Sequence, residues 1–168
     1  MRKRYLNHKL SENFWLYEFI EAQLPPQAIE LNWLHIDEMR YDEFKKLAEY
    51  LQQIRNEVNS VFKDKNKQIE IGLNVTSGFR CKAWEALRGR NGTSQHTVRA
   101  AADIQPINCD NELAVEILDW LFEQDKDREK GHQGGLAIKY PTRDKDGNIL
   151  AVGFIHYDLR PNAARWEY

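Results

Sequence analysis

The strongest constraint on the fold is a long amphipathic stretch in the first half of the chain. From about Tyr41 to Phe62, apolar residues recur every three or four positions, which is the spacing of one helix face. These apolar positions are Phe44, Leu47, Ala48, Leu51, Ile54, Val58, Val61 and Phe62. The stripe predicts a long helix packed against a core. The other interpretation is a metal-free helical interaction domain, which requires the stripe to be exposed.

Shorter patterns predict a sheet on which this helix packs. Apolar and polar residues alternate from Ile69 to Val75, as in a half-buried strand, and Ser77-Gly78 ends the pattern. Further strands are predicted at Ala101–Ile104, Leu136–Tyr140 and Ile149–Leu159, with an Asp-Gly turn signal between the last two. Further helices are predicted from Leu10 to Phe19, closed off by Pro25-Pro26, from Cys81 to Leu87, and after a capping Asp110. The sequence therefore predicts a single α+β domain over residues 1–168, with helices on a mainly antiparallel sheet.

Charge and composition exclude several kinds of partner. The 168 residues include 24 Lys and Arg against 26 Asp and Glu, so a formal net charge of −2 offers no broad basic surface to nucleic acid. No apolar run approaches the ~20 residues of a membrane span, and the basic start Met1–Arg4 leads into no apolar signal core. Cys81 and Cys109 are too few and too far apart for a disulfide framework or a thiolate zinc site. We expect a soluble protein without a signal peptide, a membrane span or a nucleic-acid partner.

Three residues have the chemistry of an open metal site. Asp103 lies in a run of small residues, where a buried carboxylate needs a hydrogen bond, an ion pair or a metal. His96 precedes it by seven positions, and His156 lies in the last predicted strand on the same face as Asp158. Two imidazoles and one carboxylate can hold zinc and leave a fourth position for water.

Spacing alone leaves a second interpretation open and even favours it. Asp103 could cap a turn or pair with Arg99 or Arg80. Both histidines would then be structural residues that are satisfied by ordinary hydrogen bonds.

The order of the blocks around these residues resembles a known enzyme family. The blocks are Leu10 to Phe19, Ser77-Gly78-Phe79-Arg80-Cys81, Ser94-Gln95-His96, Ala101-Ala102-Asp103-Ile104, Gly153 to Arg160 and Ala164-Arg165-Trp166. Together they resemble the zinc D-Ala-D-Ala carboxypeptidase and endolysin L-alanyl-D-glutamate peptidase family, whose fold is shared with the Hedgehog signalling domain. The first block is similar to the opening of the short, phage-associated members. The resemblance covers nearly the whole chain.

This resemblance implies a set of roles for particular residues. It makes His96, Asp103 and His156 the Zn²⁺ ligands, and it makes Arg80 the residue that holds a substrate carboxylate or carbonyl oxygen. A guanidinium suits that role because it can grip a carboxylate through two parallel hydrogen bonds. The implied substrate is a peptidoglycan stem peptide, from which the enzyme removes a terminal D-amino acid or which it cuts between L-alanine and D-glutamate. The implied location is cytoplasmic at synthesis, with action on the cell wall after release.

Three positions depart from the family pattern. Arg99 stands where the family usually has a glycine three residues after the first histidine, so the loop geometry there is an open question. Glu85 stands where many relatives have asparagine, and it would add negative charge if it points at the site. Gly153 stands where several branches place a catalytic carboxylate, three residues before the last histidine.

The missing carboxylate leaves the general base open. Asp158 is the nearest acidic residue on the face of His156, and it is either the general base or a carboxylate that orients a ligand. Asp144, Asp146 and His132 lie in flanking loops that could fold over a cleft. The same departure permits a zinc-stabilised module that binds the cell wall or serves a virion structurally, without turnover.

Overall fold

The computed structural model describes residues 7–66, 69–127 and 130–168. The prediction that there is no signal peptide depends on the basic residues 1–4, and these lie outside the described residues. No described helix has both the length and the apolarity that crossing a membrane requires.

Three helices begin the described part of the chain, and five strands end it. The helices are α1 (Leu16–Glu21), α2 (Pro26–Leu34), α3 (Glu38–Phe62), α4 (Lys82–Leu87), α5 (Gln95–Val98) and α6 (Asn111–Asp125). The strands are β1 (Gly72–Ser77), β2 (Ala101–Ile107), β3 (Gly135–Lys139), β4 (Thr142–Arg143), β5 (Ile149–Ala151), β6 (Phe154–Asp158) and β7 (Ala164–Glu167).

Five of these strands form one sheet in the order β1-β2-β6-β3-β7. Neighbouring strands are antiparallel except for β3 and β7, which are parallel. The short strands β4 and β5 form a separate hairpin. The predicted α+β class with a mainly antiparallel sheet is therefore confirmed.

The long helix α3 supplies much of the core. Asp37 caps its first turn by accepting a hydrogen bond from the backbone N–H of Arg40 at 2.7 Å. The predicted stripe is buried at Phe44, Leu47, Ala48, Leu51, Ile54, Val58 and Phe62, and only Val61 of that set is exposed. Because the stripe is already covered by the rest of the domain, it is not a free docking surface, and the interpretation as a helical interaction domain is wrong.

Several predicted boundaries shift for identifiable reasons. The first helix begins at Leu16 and not at the predicted Leu10. Pro26, which was predicted only to close off that helix, is the first residue of α2. Proline is tolerated in a first helical turn because its missing N–H has no intrahelical partner there. The strand predicted from Ile149 to Leu159 is divided into β5 and β6 by Gly153, whose φ of +89° is outside the strand region.

The buried face of α3 predicts a clear contrast between two substitutions in the same helix. Leu51→Ala removes a fully buried side chain and should lower the free energy of unfolding by about 2–5 kcal/mol. Val61→Ala removes an exposed side chain and should change it by less than about 0.5 kcal/mol. Urea unfolding followed by circular dichroism measures both. Equal losses for the two variants would contradict this packing.

Candidate metal centre

Two imidazoles and one carboxylate converge where α5 meets the middle of the sheet. Asp103 of β2 lies directly opposite His156 of β6 in the antiparallel register, and α5 brings His96 to the same place. Asp103 Oδ1 lies 2.7 Å from His156 Nδ1 and 3.2 Å from His96 Nε2. One potential ligand atom from each of the three side chains falls within 4.8 Å of the others, and all three residues are buried.

The outer nitrogen of each imidazole is fixed by a hydrogen bond. His96 Nδ1 lies 2.8 Å from the carbonyl oxygen of Gly78, and because a carbonyl only accepts, Nδ1 carries the hydrogen. His156 Nε2 lies 3.0 Å from Asp158 Oδ2. Metal-binding histidines are oriented in this way, with one ring nitrogen donating to an oxygen and the other offering its lone pair. His96 Nε2, His156 Nδ1 and the Asp103 carboxylate therefore fit a metal ion.

The electrostatics of the cluster favour a bound positive charge. Burial raises the pKa of Asp103, but His156 and His96, which donate to it when both of their ring nitrogens are protonated, outweigh burial and hold that pKa well below its usual range. Burial lowers the pKa of His156, but hydrogen bonds to Asp103 and Asp158 more than offset it and raise that pKa. A cation between these carboxylates is stabilised, whether it is a proton on the imidazole or a metal ion.

Asp158 lies on the far side of the His156 ring from Asp103, and it is fully buried. Its Oδ1 accepts hydrogen bonds from the backbone N–H groups of Gly135 and Arg160, at 3.1 and 2.9 Å. Its Oδ2 accepts from His156 and from the Arg160 guanidinium at 2.6 Å. Burial raises its pKa, but the bonds from His156 and Arg160 bring it well below the usual range. A carboxylate so fully engaged can orient His156 and is poorly placed to take a proton from substrate water.

Arg80 is carried on the loop between β1 and α4, and its backbone N–H donates to the carbonyl oxygen of His96 at 2.9 Å. Its guanidinium donates to Ser77 Oγ at 2.9 Å and to Ser94 Oγ at 3.1 Å. The loop itself is held by Asn32, a fully buried residue of α2. The Asn32 amide donates to the Phe79 carbonyl at 2.6 Å and accepts from the Cys81 N–H at 2.9 Å.

The three candidate ligands and Arg80 share one open cleft of about 570 Å³. Its remaining lining residues are Arg90, Thr93, Ser94, Gln95, Phe154, Arg160, Trp166 and Tyr168. One wall is aromatic, since the Trp166 ring lies 5.2 Å from that of His156 and 6.1 Å from that of Tyr168. The cleft therefore places a cluster that can hold a cation beside several guanidinium groups that can bind an anion.

A family model described as Peptidase M15 matches residues 32–126, which is more than half of the 168 residues. The chain belongs to the peptidase M15 family. The matched segment of this M15 peptidase domain contains Arg80, His96 and Asp103, whereas His156 and Asp158 lie beyond it. Neither the search of curated proteins nor the search of solved structures found a match. The predicted family is thus confirmed, and the likeness to phage-associated members stays a prediction.

Two departures from the M15 pattern are resolved by their surroundings. Arg99 has an extended backbone, with φ of −139° and ψ of 176°, so the missing glycine requires no strained conformation. Its guanidinium lies 3.4 Å from Glu43 and not against Asp103. The Glu85 carboxylate lies 3.4 Å from Arg80 Nε, so it adds its negative charge behind the arginine and not at the candidate ligands.

The remaining loop candidates do not reach the cleft of this M15 domain. Asp144 caps the turn between β4 and β5, where it accepts hydrogen bonds from the backbone N–H groups of Asp146 and Asn148 at 2.9 Å. His132 is buried behind β6, and its Nε2 donates to the backbone carbonyl of Asp158 at 2.8 Å. Among the described residues that line the cleft, Asp103 is the one with a side-chain carboxylate.

The third departure, Gly153, has a steric cause. Its φ is +89°, and a Cβ atom built on it would lie 2.0 Å from the backbone carbonyl oxygen of Lys139. Gln105 also donates to the carbonyl oxygen of Gly153. The backbone therefore accepts no side chain at this position, where the family resemblance led us to expect a carboxylate.

Gly153 and Gly147 provide a matched test of that steric argument. Both have φ near +88°, at +89° and +87°, but a Cβ on Gly147 would meet nothing within 4 Å. Gly147→Ala should cost only backbone strain, about 1–2 kcal/mol of the free energy of unfolding. Gly153→Ala adds a clash with main-chain atoms and should cost at least about 2 kcal/mol more. Urea denaturation measures the difference, and a loss at Gly153 no larger than that at Gly147 would show that the backbone there has room.

Proposed function

We propose that this M15 domain is a zinc peptidase that hydrolyses peptidoglycan stem peptides. It removes a terminal D-amino acid or cuts between L-alanine and D-glutamate, and it acts on the cell wall after release from the cytoplasm. The observation that carries the proposal is the convergence of His96 Nε2, Asp103 and His156 Nδ1 within 4.8 Å, with the outer nitrogen of each imidazole held by an oxygen acceptor. This donor set is the open, three-ligand type found in catalytic zinc sites.

The ligands in this proposal are His96, Asp103 and His156. A zinc ion held by them would supply Lewis acidity, which activates water and polarises the amide carbonyl that the water attacks. Gly78 and Asp158 keep the two imidazoles in the tautomers that offer a lone pair to the metal. The Trp166 ring, 5.2 Å from that of His156, excludes water from one side of the ligand.

Arg80 binds substrate in this proposal. Ser77 and Ser94 fix its guanidinium within the cleft, and donors remain on it for a substrate carboxylate or carbonyl oxygen. Its backbone bond to His96 couples its position to the metal site. A carbonyl held in this way is oriented toward the ligand cluster before bond cleavage, which lowers the entropic part of the barrier.

A second candidate function is a zinc-stabilised wall-binding or virion-structural module without turnover. One observation favours it: Gly153 has no room for the catalytic carboxylate that the family resemblance leads one to expect there. The two candidates share the metal and differ in hydrolysis alone.

Hydrolysis of purified peptidoglycan separates the two candidates. The zinc-loaded protein should release soluble stem-peptide fragments, detected by chromatography and mass spectrometry, and a chelator should abolish release until zinc is restored. Elemental analysis should give one zinc per chain. His156→Ala removes one of three ligands and should lose both zinc and hydrolysis.

The negative outcomes are equally specific. One zinc per chain without any released fragment would support the non-catalytic module. Full zinc occupancy in His156→Ala would contradict the ligand assignment. Chelator-resistant hydrolysis would contradict the metal mechanism.

Asp158→Asn tests whether Asp158 positions His156 or accepts the water's proton. We propose the positioning role, in which the variant weakens zinc affinity or activity by about 10–100-fold. A general base would instead lose its activity at unchanged zinc affinity, since an amide cannot accept the proton. Zinc competition with a fluorescent chelator gives the affinity. Asp144→Asn, at an exposed turn outside the cleft, is the control and should change neither quantity.

A further inference from the structure

A buried glutamate lies behind two arginines of the cleft wall. The side chain of Glu85 in α4 is 3% exposed, and its Oε1 lies 3.4 Å from Arg80 Nε and 3.4 Å from Arg90 NH1. The backbone N–H of Arg90 also donates to the Glu85 carbonyl at 2.9 Å, which closes the loop after α4. Both arginines line the cleft. One carboxylate thus contacts both guanidinium groups.

The buried Glu85 carboxylate reduces the electrostatic repulsion between Arg80 and Arg90. Two guanidinium groups on one wall repel each other, and a single negative charge behind them offsets that repulsion. A neutral side chain at this position would have no charge with which to do so. The glutamate therefore explains how a second arginine is kept beside Arg80.

Arg80 and Arg90 are the arginines of the cleft that remain able to bind an anionic ligand. Arg160, the other arginine of the wall, is engaged by Asp158, with 2.6 Å between its terminal nitrogen and Oδ2. Asp103 is shared between His96 and His156. Arg80 and Arg90 together carry one positive charge more than Glu85 neutralises, and both keep N–H donors that the described contacts do not use.

We propose that Glu85 is a positioning residue that joins Arg80 and Arg90 into one anion clamp, and that the clamp selects substrates with a free carboxylate beside the bond to be cleaved. The proposal rests on the proposed peptidase function and adds to it a second substrate-binding arginine and the residue that holds it. Arg80 is the fixed member, because Ser77 and Ser94 restrain it. Arg90, with 47% of its side chain exposed, is the member that closes on the carboxylate.

The test uses one stem peptide in two forms, with its carboxyl groups free and with the same groups amidated. Calorimetry measures binding of each peptide to the zinc-loaded protein, and chromatography of the same mixtures measures cleavage. The wild-type protein should bind the free acid at least about tenfold more tightly than the amide, because a charge-assisted bidentate contact is lost in the amide.

Substitutions then assign this preference to the clamp. Arg90→Gln should weaken binding of the free acid by about tenfold and leave binding of the amide unchanged. Glu85→Gln should have the same selective effect, because it removes the carboxylate that contacts both arginines of the clamp. Arg88→Gln, one residue before Gly89 and stacked on Trp84 at 5.9 Å, removes an arginine outside the cleft and should change neither affinity.

Each negative result has a distinct meaning. An unchanged acid-to-amide ratio in Arg90→Gln overturns the clamp. A loss of thermal stability in Glu85→Gln with equal weakening toward both peptides assigns Glu85 a purely structural role, and it also overturns the proposal. If neither peptide is cleaved but the ratio falls in both variants, the hydrolysis proposed above fails while the clamp stands. If both peptides are cleaved equally well, the clamp fails while the hydrolysis stands.

Discussion

The pairing register of β2 and β6 is the constraint on which the rest of this site depends. It sets Asp103 opposite His156, and strand alternation places Asp158 on the same face, within 3.0 Å of the other ring nitrogen. A shift of one residue would turn these side chains to the opposite face of the sheet. The buried small residues Ala101 and Ala102 flank Asp103 and permit the close approach of neighbouring elements. The sheet therefore fixes two of the three candidate ligands, and α5 supplies the third, His96.

The cleft holds a cluster suited to a cation close to a wall that carries positively charged arginines. Asp103 and Asp158, with the imidazole of His156 between them, create a buried place for a cation. Arg80 and Arg90 lie on one wall of the cleft, and the buried Glu85 carboxylate contacts both; we propose that this wall binds an anion. Trp166 and Phe154 add apolar surface to the same cleft. A substrate with a carboxylate near an amide carbonyl fits the cluster and the wall together.

Sequence patterns predicted the features that depend on neighbouring residues, such as helix periodicity and helix capping. The stripe of α3 and the Asp110 cap of α6 are both confirmed, because periodicity and capping are properties of adjacent residues. Strand β7 was not predicted, since its parallel pairing with β3 joins distant segments and leaves no local signal. In the site, spacing favoured structural histidines, and only the resemblance to a family selected His96, Asp103 and His156. Asn32 was missed because a polar residue in a helix gives no sign that it will be buried against a distant loop.

The central claim is that two histidines and one aspartate present their donor atoms to one zinc ion. X-ray absorption at the zinc edge of the purified, zinc-loaded protein measures that coordination shell directly. We predict two imidazole nitrogens at about 2.0–2.1 Å and carboxylate or solvent oxygens at about 2.0–2.2 Å, with no sulfur. A sulfur shell at about 2.3 Å, or a shell of oxygens without imidazole, would contradict the account.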